Sequence, residues 1–290
     1  MPTPIKQIMM EVHRETDFDG KEPFLMKKPA ALALALLLLL SACAAPQEEA
    51  ASGEPVSLYI FAASSLAGTL DQIIELYQAE HQDISVVPTY DSSGTLLAQI
   101  QEGADCDLFI SAAPKQMDAL EADAALLEGS RKDLLENKVV LAVPEGNPRG
   151  VGSFRQLASL LESGDVLLAV GNSDVPVGQY TQKIFAYLGL DEDSLAASGL
   201  LTYGSNVKEV TTQVSEASVD CGIIYATDAF DTGLTVMDEA LPEMCGQVVY
   251  PAAVLARSHY PEEAGDFLTF LSSGEAGLIF KNAGFTTLNP

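Results

Sequence analysis

The stretch Ser57-Leu58-Tyr59-Ile60-Phe61-Ala62-Ala63-Ser64-Ser65-Leu66, followed by Ala67 to His81, decides how the rest of the chain is read. Its first half alternates and then runs apolar, with aromatic and β-branched residues, the pattern of a buried strand. Its second half sets Leu66, Leu70, Ile73, Ile74 and Tyr77 at helical spacing. Between them stand Ser64 and Ser65. A serine there serves as a helix N-cap, and hydroxyls and free backbone N–H groups meet the positive end of the helix dipole. Such a junction is a socket for an anion.

Outward from this unit the same grammar repeats. Ile84 to Tyr90 reads as a strand, closed by Asp91-Ser92-Ser93-Gly94 and opened into a helix by Thr95 to Ile100. Cys106 to Ser111 is a third strand, with Pro114 placed for the first turn of the next helix. Lys138 to Pro144 is a fourth, ending in the turn-rich Glu145 to Gly150. Val166 to Val170 is a strand whose loop, Gly171 to Val175, leads to Pro176 as the first residue of a helix over Val177 to Leu188, stopped by Gly189. Leu200 to Tyr203 leads to Ser205-Asn206, a capping pair for a helix starting near Val207. Gly222 to Tyr225, then Val248 to Leu255, are the remaining strands, and Pro261 to Phe270 and Glu275 to Asn282 are closing helices.

Strands alternating with helices imply α/β layers with mostly parallel sheets, and about 235 residues exceed what one core usually fills. Two lobes are expected, 54–139 plus 248–290 and 140–247, with a ligand cleft between them. No internal repeat is evident.

Before Glu54 the chain has another character. Met26-Lys27-Lys28, the apolar run Ala30 to Leu40 and then Ser41-Ala42-Cys43 follow the order of a signal peptide, so 1–42 reads as leader and signal peptide, with translation starting at Met1 or Met26. The apolar run is too short to span a membrane. Leu40-Ser41-Ala42-Cys43 resembles the lipobox of bacterial lipoproteins, which implies lipidation of Cys43. Residues 43–53 are small and polar without periodicity, a flexible tether.

The exported part keeps 10 Lys and Arg against 36 Asp and Glu. Nothing basic clusters to displace counterions from a phosphate backbone, so nucleic acid is excluded as a partner. The cysteines at 43, 106, 221 and 245 form no CxxC pair, hence no zinc or redox motif. Export permits a disulfide, for which Cys221 and Cys245 are the candidate pair because each starts an apolar run; three small buried thiols are the equal alternative.

Ligands of open parallel sheets sit beyond the carboxyl ends of strands, where helices begin. Five such ends carry small or donor-bearing residues: Ser64-Ser65, Ser92-Ser93, the turn before Val177, Ser205-Asn206-Val207, and Tyr225. None carries Lys or Arg. A neutral set of aligned dipoles suits a fully ionised tetrahedral oxyanion such as molybdate, tungstate or sulfate better than a protonated phosphate.

Phe61-Ala62-Ala63-Ser64-Ser65-Leu66, Asp91-Ser92-Ser93-Gly94-Thr95-Leu96, Asp107-Leu108-Phe109-Ile110-Ser111-Ala112, Val175-Pro176-Val177-Gly178-Gln179-Tyr180 and Gly222-Ile223-Ile224-Tyr225-Ala226-Thr227-Asp228-Ala229, in that order, resemble the substrate-binding protein of molybdate ABC transporters. The resemblance covers Glu54 to Pro290. It implies a two-lobed periplasmic-binding-protein-like fold (type II) and a molybdate or tungstate ligand held without cofactor. It implies hydroxyl and backbone N–H donation by Ser65 and Ser93, backbone N–H donation by Val177 and Val207, and hydroxyl donation by Tyr225. No residue ligates the metal directly; the contacts run through the oxyanion's oxygens. The implied partner is a membrane permease with a cytoplasmic ATPase, served by a lipid-anchored monomer outside the cell membrane. Asp91 and Gly94 depart from the family's small neutral residue and serine; a carboxylate facing the cleft would repel a dianion, so Asp91 is expected to turn outward or cap the following helix.

A receptor for sulfate or phosphate is the nearest alternative, and an exported enzyme the most distant. Ser205-Asn206-Val207-Lys208 formally matches the S-x-x-K of serine acyl enzymes, but no KTG follows and the only Ser-Asp, at 173 and 174, lies upstream. The histidines, His13, His81 and His259, sit near no candidate nucleophile, and there is no G-x-S-x-G.

Overall fold

The computed structural model describes residues 56–288. The expected leader, Cys43 and the tether lie outside the described residues. β1 (Val56–Ala63) passes into a 3-10 turn, Ser64–Leu66, and then α1 (Ala67–Glu80). Neither the turn nor α1 has a side-chain cap, contrary to the expected serine cap; Ser65 instead pairs with Tyr250. Next come β2 (Ile84–Asp91), α2 (Ser93–Gln101), β3 (Leu108–Ile110) and α3 (Pro114–Ala122), with Ser92 capping α2 by accepting from Thr95 N–H.

β4 (Lys132–Asn137) is separated from β5 (Val139–Val143) by one residue. There follow α4 (Phe154–Ser163), β6 (Leu168–Gly171), α5 (Pro176–Leu188), α6 (Glu192–Ala197), β7 (Leu201–Gly204) and α7 (Val207–Ser215). α5 starts on Pro176 and ends on Gly189 at a φ of 74°, where a side chain would be strained. Asn206 caps α7 through Glu209 N–H. The chain closes with β8 (Cys221–Tyr225), α8 (Ala226–Thr232), β9 (Thr235–Glu239), α9 (Pro242–Cys245), β10 (Val248–Val254), α10 (Pro261–Leu271), α11 (Gly274–Asn282) and β11 (Thr286–Thr287).

The strands form two sheets, ordered β11-β4-β10-β3-β1-β2 and β7-β6-β8-β5-β9, within one compact unit spanning Gly53–Pro290. The sheets are mixed rather than mostly parallel. β1 with β2 and β3, and β6 with β7 and β8, are parallel, whereas every pairing of β4, β5 or β10 is antiparallel. Those three strands carry the chain between sheets: β4 leads out through Lys138 into β5, and β10 brings it back, with Val248 paired to Asn137.

The first sheet is covered on both faces, and its side-chain alternation shows it. Leu58, Ile60, Ala62, Leu108 and Ile110 enter the main core; Phe61 and Phe109 face the other way, onto Leu96, Ile100, Met117 and Leu120 from α2 and α3. Among the described residues no helix is long and apolar enough to cross a membrane.

The candidate disulfide does not form. Cys106, Cys221 and Cys245 are free buried thiols. Cys221 begins β8 beside Leu167, while Cys245 ends the helix α9.

Candidate functional site

β1 and β2 run parallel with Ala63 opposite Asp91, so the Ser64–Leu66 turn and the Ser92–Ser93 start of α2 emerge side by side. In the second sheet Gly171 lies opposite Gly204, which brings the starts of α5 and α7 together, and β8, next to β6, delivers Tyr225 to the same end. The two groups meet. A cavity of about 10 Å³, room for the centre of about one water, is lined by Ser64, Ser65, Asp91, Ser92 and Ser93 from the first sheet and by Val175, Val177, Val207 and Tyr225 from the second. All five residues implied by the resemblance, Ser65, Ser93, Val177, Val207 and Tyr225, are on this wall. A larger groove of about 680 Å³, between Pro114 of α3 and Gln179 to Ala186 of α5, carries its donors on long side chains, Lys115, Gln179, Gln182 and Lys183 among them, and none of the five residues implied by the resemblance lines it.

Four of the five bring a donor for a physical reason evident at the site itself. Val177 and Val207 are in the first turns of α5 and α7, whose N–H groups have no carbonyl within the helix to bond, while their side chains are buried in the core. Ser93 is fully buried, and its Oγ accepts from Ala112 N–H at 3.0 Å, which leaves its own proton uncommitted. The Tyr225 hydroxyl is buried without a hydrogen-bond partner among the described residues. Burial pushes its ionisation well above the ordinary phenol value, reinforced by Tyr250, so it stays an O–H donor.

No Lys or Arg lines the cavity; the one charged group on its wall is Asp91. Its Oδ1 accepts from Ser92 N–H at 2.7 Å, and the helix cap is Ser92 rather than Asp91. Asp107 of the third quoted motif is structural: its carboxylate accepts from Tyr59 N–H at 2.8 Å and Ser258 Oγ–H at 2.6 Å.

Behind Tyr225 lies Asp228, fully buried, with Lys208 Nζ 2.9 Å from its Oδ1. Burial raises the Asp228 carboxyl to about 6 and outweighs the ion pair, which pulls the other way. For Lys208 the balance is reversed: burial disfavours its charge, but Asp228 and Asp231 raise it overall. The Asp228 proton is therefore held more tightly in the folded than in the unfolded chain. Its stabilising contribution is full below about pH 4 and is lost as pH rises to about 6. Relative to Asp228→Asn, wild-type stability is expected to fall by about 3 kcal/mol between pH 4 and 7 in urea titrations. A difference that grows with pH would put the ion pair in control.

The same pair weighs against the acyl-enzyme alternative. Lys208 is held charged by Asp228 and Asp231, a poor general base, and Ser205 is exposed. His81 stacks on Tyr77 with ring centroids 4.1 Å apart.

Sequence reading passed over Asn137 and Tyr250, both buried. Asn137 Nδ2 donates to Thr227 Oγ1 at 2.9 Å and to Tyr250 Oη at 3.1 Å, and Tyr250 Oη is 2.9 Å from Ser65 Oγ. Neither residue stands at a strand-to-helix junction, and Tyr250 reads as one more apolar strand position.

Residues 58–286 match the family model for bacterial extracellular solute-binding proteins. A Bacillus subtilis (strain 168) protein provisionally named ABC transporter substrate-binding lipoprotein YvgL is 34% identical over 255 residues, 88% of this chain and 95% of its own. Molybdate-binding protein ModA of Escherichia coli (strain K12) is 32% identical over 232 residues, 78% of this chain and 88% of its own. A solved structure from Clostridium difficile, described as the substrate-binding domain of a provisionally assigned molybdenum ABC transporter, superposes with a TM-score of 0.60 at 31% identity, covering 80% of this chain and 99% of that one. With the two-sheet architecture, these matches establish that the chain belongs to the bacterial extracellular solute-binding protein family.

Proposed function

We propose that this chain is the substrate-binding protein of an ABC importer and captures molybdate or tungstate in the cavity between its two sheets. The observation that carries the reading is the convergence of Ser65, Ser93, Val177, Val207 and the unpartnered Tyr225 hydroxyl, from five strand ends, on a pocket without Lys or Arg. Its E. coli relative is named for molybdate. Donors from both sheets bond the ligand at once and so favour an arrangement in which lobes 54–139 plus 248–290 and 140–247 are closed, with the pivot at their two connections. The protein acts as a monomer without cofactor and without turnover, anchored by lipid on Cys43 outside the membrane, and passes its cargo to the permease.

Calorimetric titration of residues 47–290 with molybdate, tungstate, sulfate and phosphate tests this. Submicromolar binding of the first two at one site per chain, with the others far weaker, is the expected result. Asp91 gives phosphate a specific claim, since a carboxylate on the wall can accept the proton of a hydrogen phosphate; preference for phosphate would replace the molybdate reading. A hydrogen bond to a charged group contributes about 1.5–3 kcal/mol. Ser65→Ala and Ser93→Ala are therefore each expected to weaken binding by about one to two powers of ten, and Tyr225→Phe by the same or less. Unchanged affinity in both serine variants would remove the site.

A further inference from the structure

The direction of each hydrogen bond behind Ser65 can be worked out from the donors available. Asn137 Oδ1 accepts from Lys138 N–H at 2.8 Å, which fixes the amide, because an NH₂ group could not face that donor. Its Nδ2 therefore points to Thr227 Oγ1 and to Tyr250 Oη, as donor to both. Tyr250 Oη has a single proton and, besides Asn137, a single hydrogen-bond neighbour among the described residues, Ser65 Oγ. If Ser65 donated to Tyr250, the tyrosine would receive two protons while its own, fully buried, had no acceptor, a costly arrangement. The satisfied arrangement has Tyr250 donating to Ser65. Burial, aided by Asp228, keeps the phenol protonated.

We propose that Tyr250 is a positioning residue of the anion site: its O–H occupies the Ser65 oxygen from behind and so commits the Ser65 proton to the bound oxyanion. Ser93 is prepared in the same sense, with Ala112 N–H in the place of the tyrosine hydroxyl. The polarity runs one way, from Lys138 N–H through Asn137 and Tyr250 to Ser65 and the ligand. It starts at the connection leaving the first sheet and passes through β10, the strand of the returning one, so the residues joining the sheets also aim a donor.

The inference rests on the proposed oxyanion reading, and one experiment separates the two. Molybdate affinity is measured by calorimetry for the wild type, Tyr250→Phe, Ser65→Ala and the double variant, with thermal unfolding of each unliganded protein alongside. Tyr250→Phe is expected to weaken binding about tenfold when Ser65 is present, the scale of one charge-assisted hydrogen bond, and to add nothing in Ser65→Ala. A hinge merely loosened by the lost hydroxyl would lower affinity equally in both backgrounds, and that result overturns the inference. So does unchanged affinity in Tyr250→Phe when Ser65→Ala binds weakly. Failure of the wild type itself to bind would overturn the functional reading and this one with it.

Discussion

Gly94→Ala is expected to weaken oxyanion binding by about two powers of ten while leaving the unliganded fold at least as stable as before. A Cβ at position 94 would stand 2.3 Å from the carbonyl oxygen of Asp174 and 3.1 Å from its carbon, across the gap between α2 and the loop preceding α5. Both atoms are backbone, so no rotamer change relieves the contact, and the two sides of the pocket must stay apart. Gln116 Nε2, 3.4 Å from the same carbonyl, marks the same line of approach. Overpacking of this kind costs about 1–3 kcal/mol, and at the upper end that is about a hundredfold in affinity. Away from the contact the change exchanges glycine for alanine inside a helix, worth about 0.5–1 kcal/mol in its favour. Calorimetry and thermal unfolding should move in opposite directions: weaker binding with an equal or higher unliganded Tm. Loss of both together would mean that the clash acts on folding rather than on closure.

Gly178→Ala should show the other pattern, with folding and binding impaired together. Its Cβ would lie 2.1 Å from Asn172 O and 2.4 Å from Gly171 O, again backbone, where the first turn of α5 presses on the end of β6. That contact exists whether or not a ligand is held. The expected loss is about 3 kcal/mol, or roughly 6–12 °C in Tm for a chain of this size. Because Val177 N–H is in the displaced turn, affinity should fall in whatever protein remains folded. Retained Tm with wild-type affinity would show that the turn can shift without cost.

The fold was legible where local rules and burial agree. Pro176 and Gly189 bracket α5, Asn206 caps α7, and the apolar run after Val56 becomes β1 as its pattern requires. It was not legible in β4 or β9, which alternate weakly and carry charge at Lys132, Asp133, Glu136, Asp238 and Glu239. The sheets were expected to be mostly parallel because strand–helix alternation does not show that β5 and β10, both legible as strands, cross between the sheets and pair antiparallel. The site was legible as a set of junction residues, since donors at helix starts follow from backbone geometry. What lay beyond local rules was the partner of each hydroxyl. Ser65 read as a cap, but its oxygen is engaged by Tyr250, 185 residues away, and no spacing within one unit encodes that. Asp91 likewise follows its nearest free N–H, on Ser92, rather than the requirements of a distant ligand.

The join is thin: one residue, Lys138, between β4 and β5 on the way out, and Gly246-Gln247, between α9 and β10, on the way back, with Asn137 and Val248 paired beside it. Two short struts anchored side by side in one ladder resist sliding and twisting far more than bending. In the proposed closure of the two lobes, their relative motion would thereby be reduced from six rigid-body coordinates to nearly one. Under that proposal each donor on one half would return to the same place opposite its counterparts at every closing, and little of the binding free energy would be spent on a search through orientations.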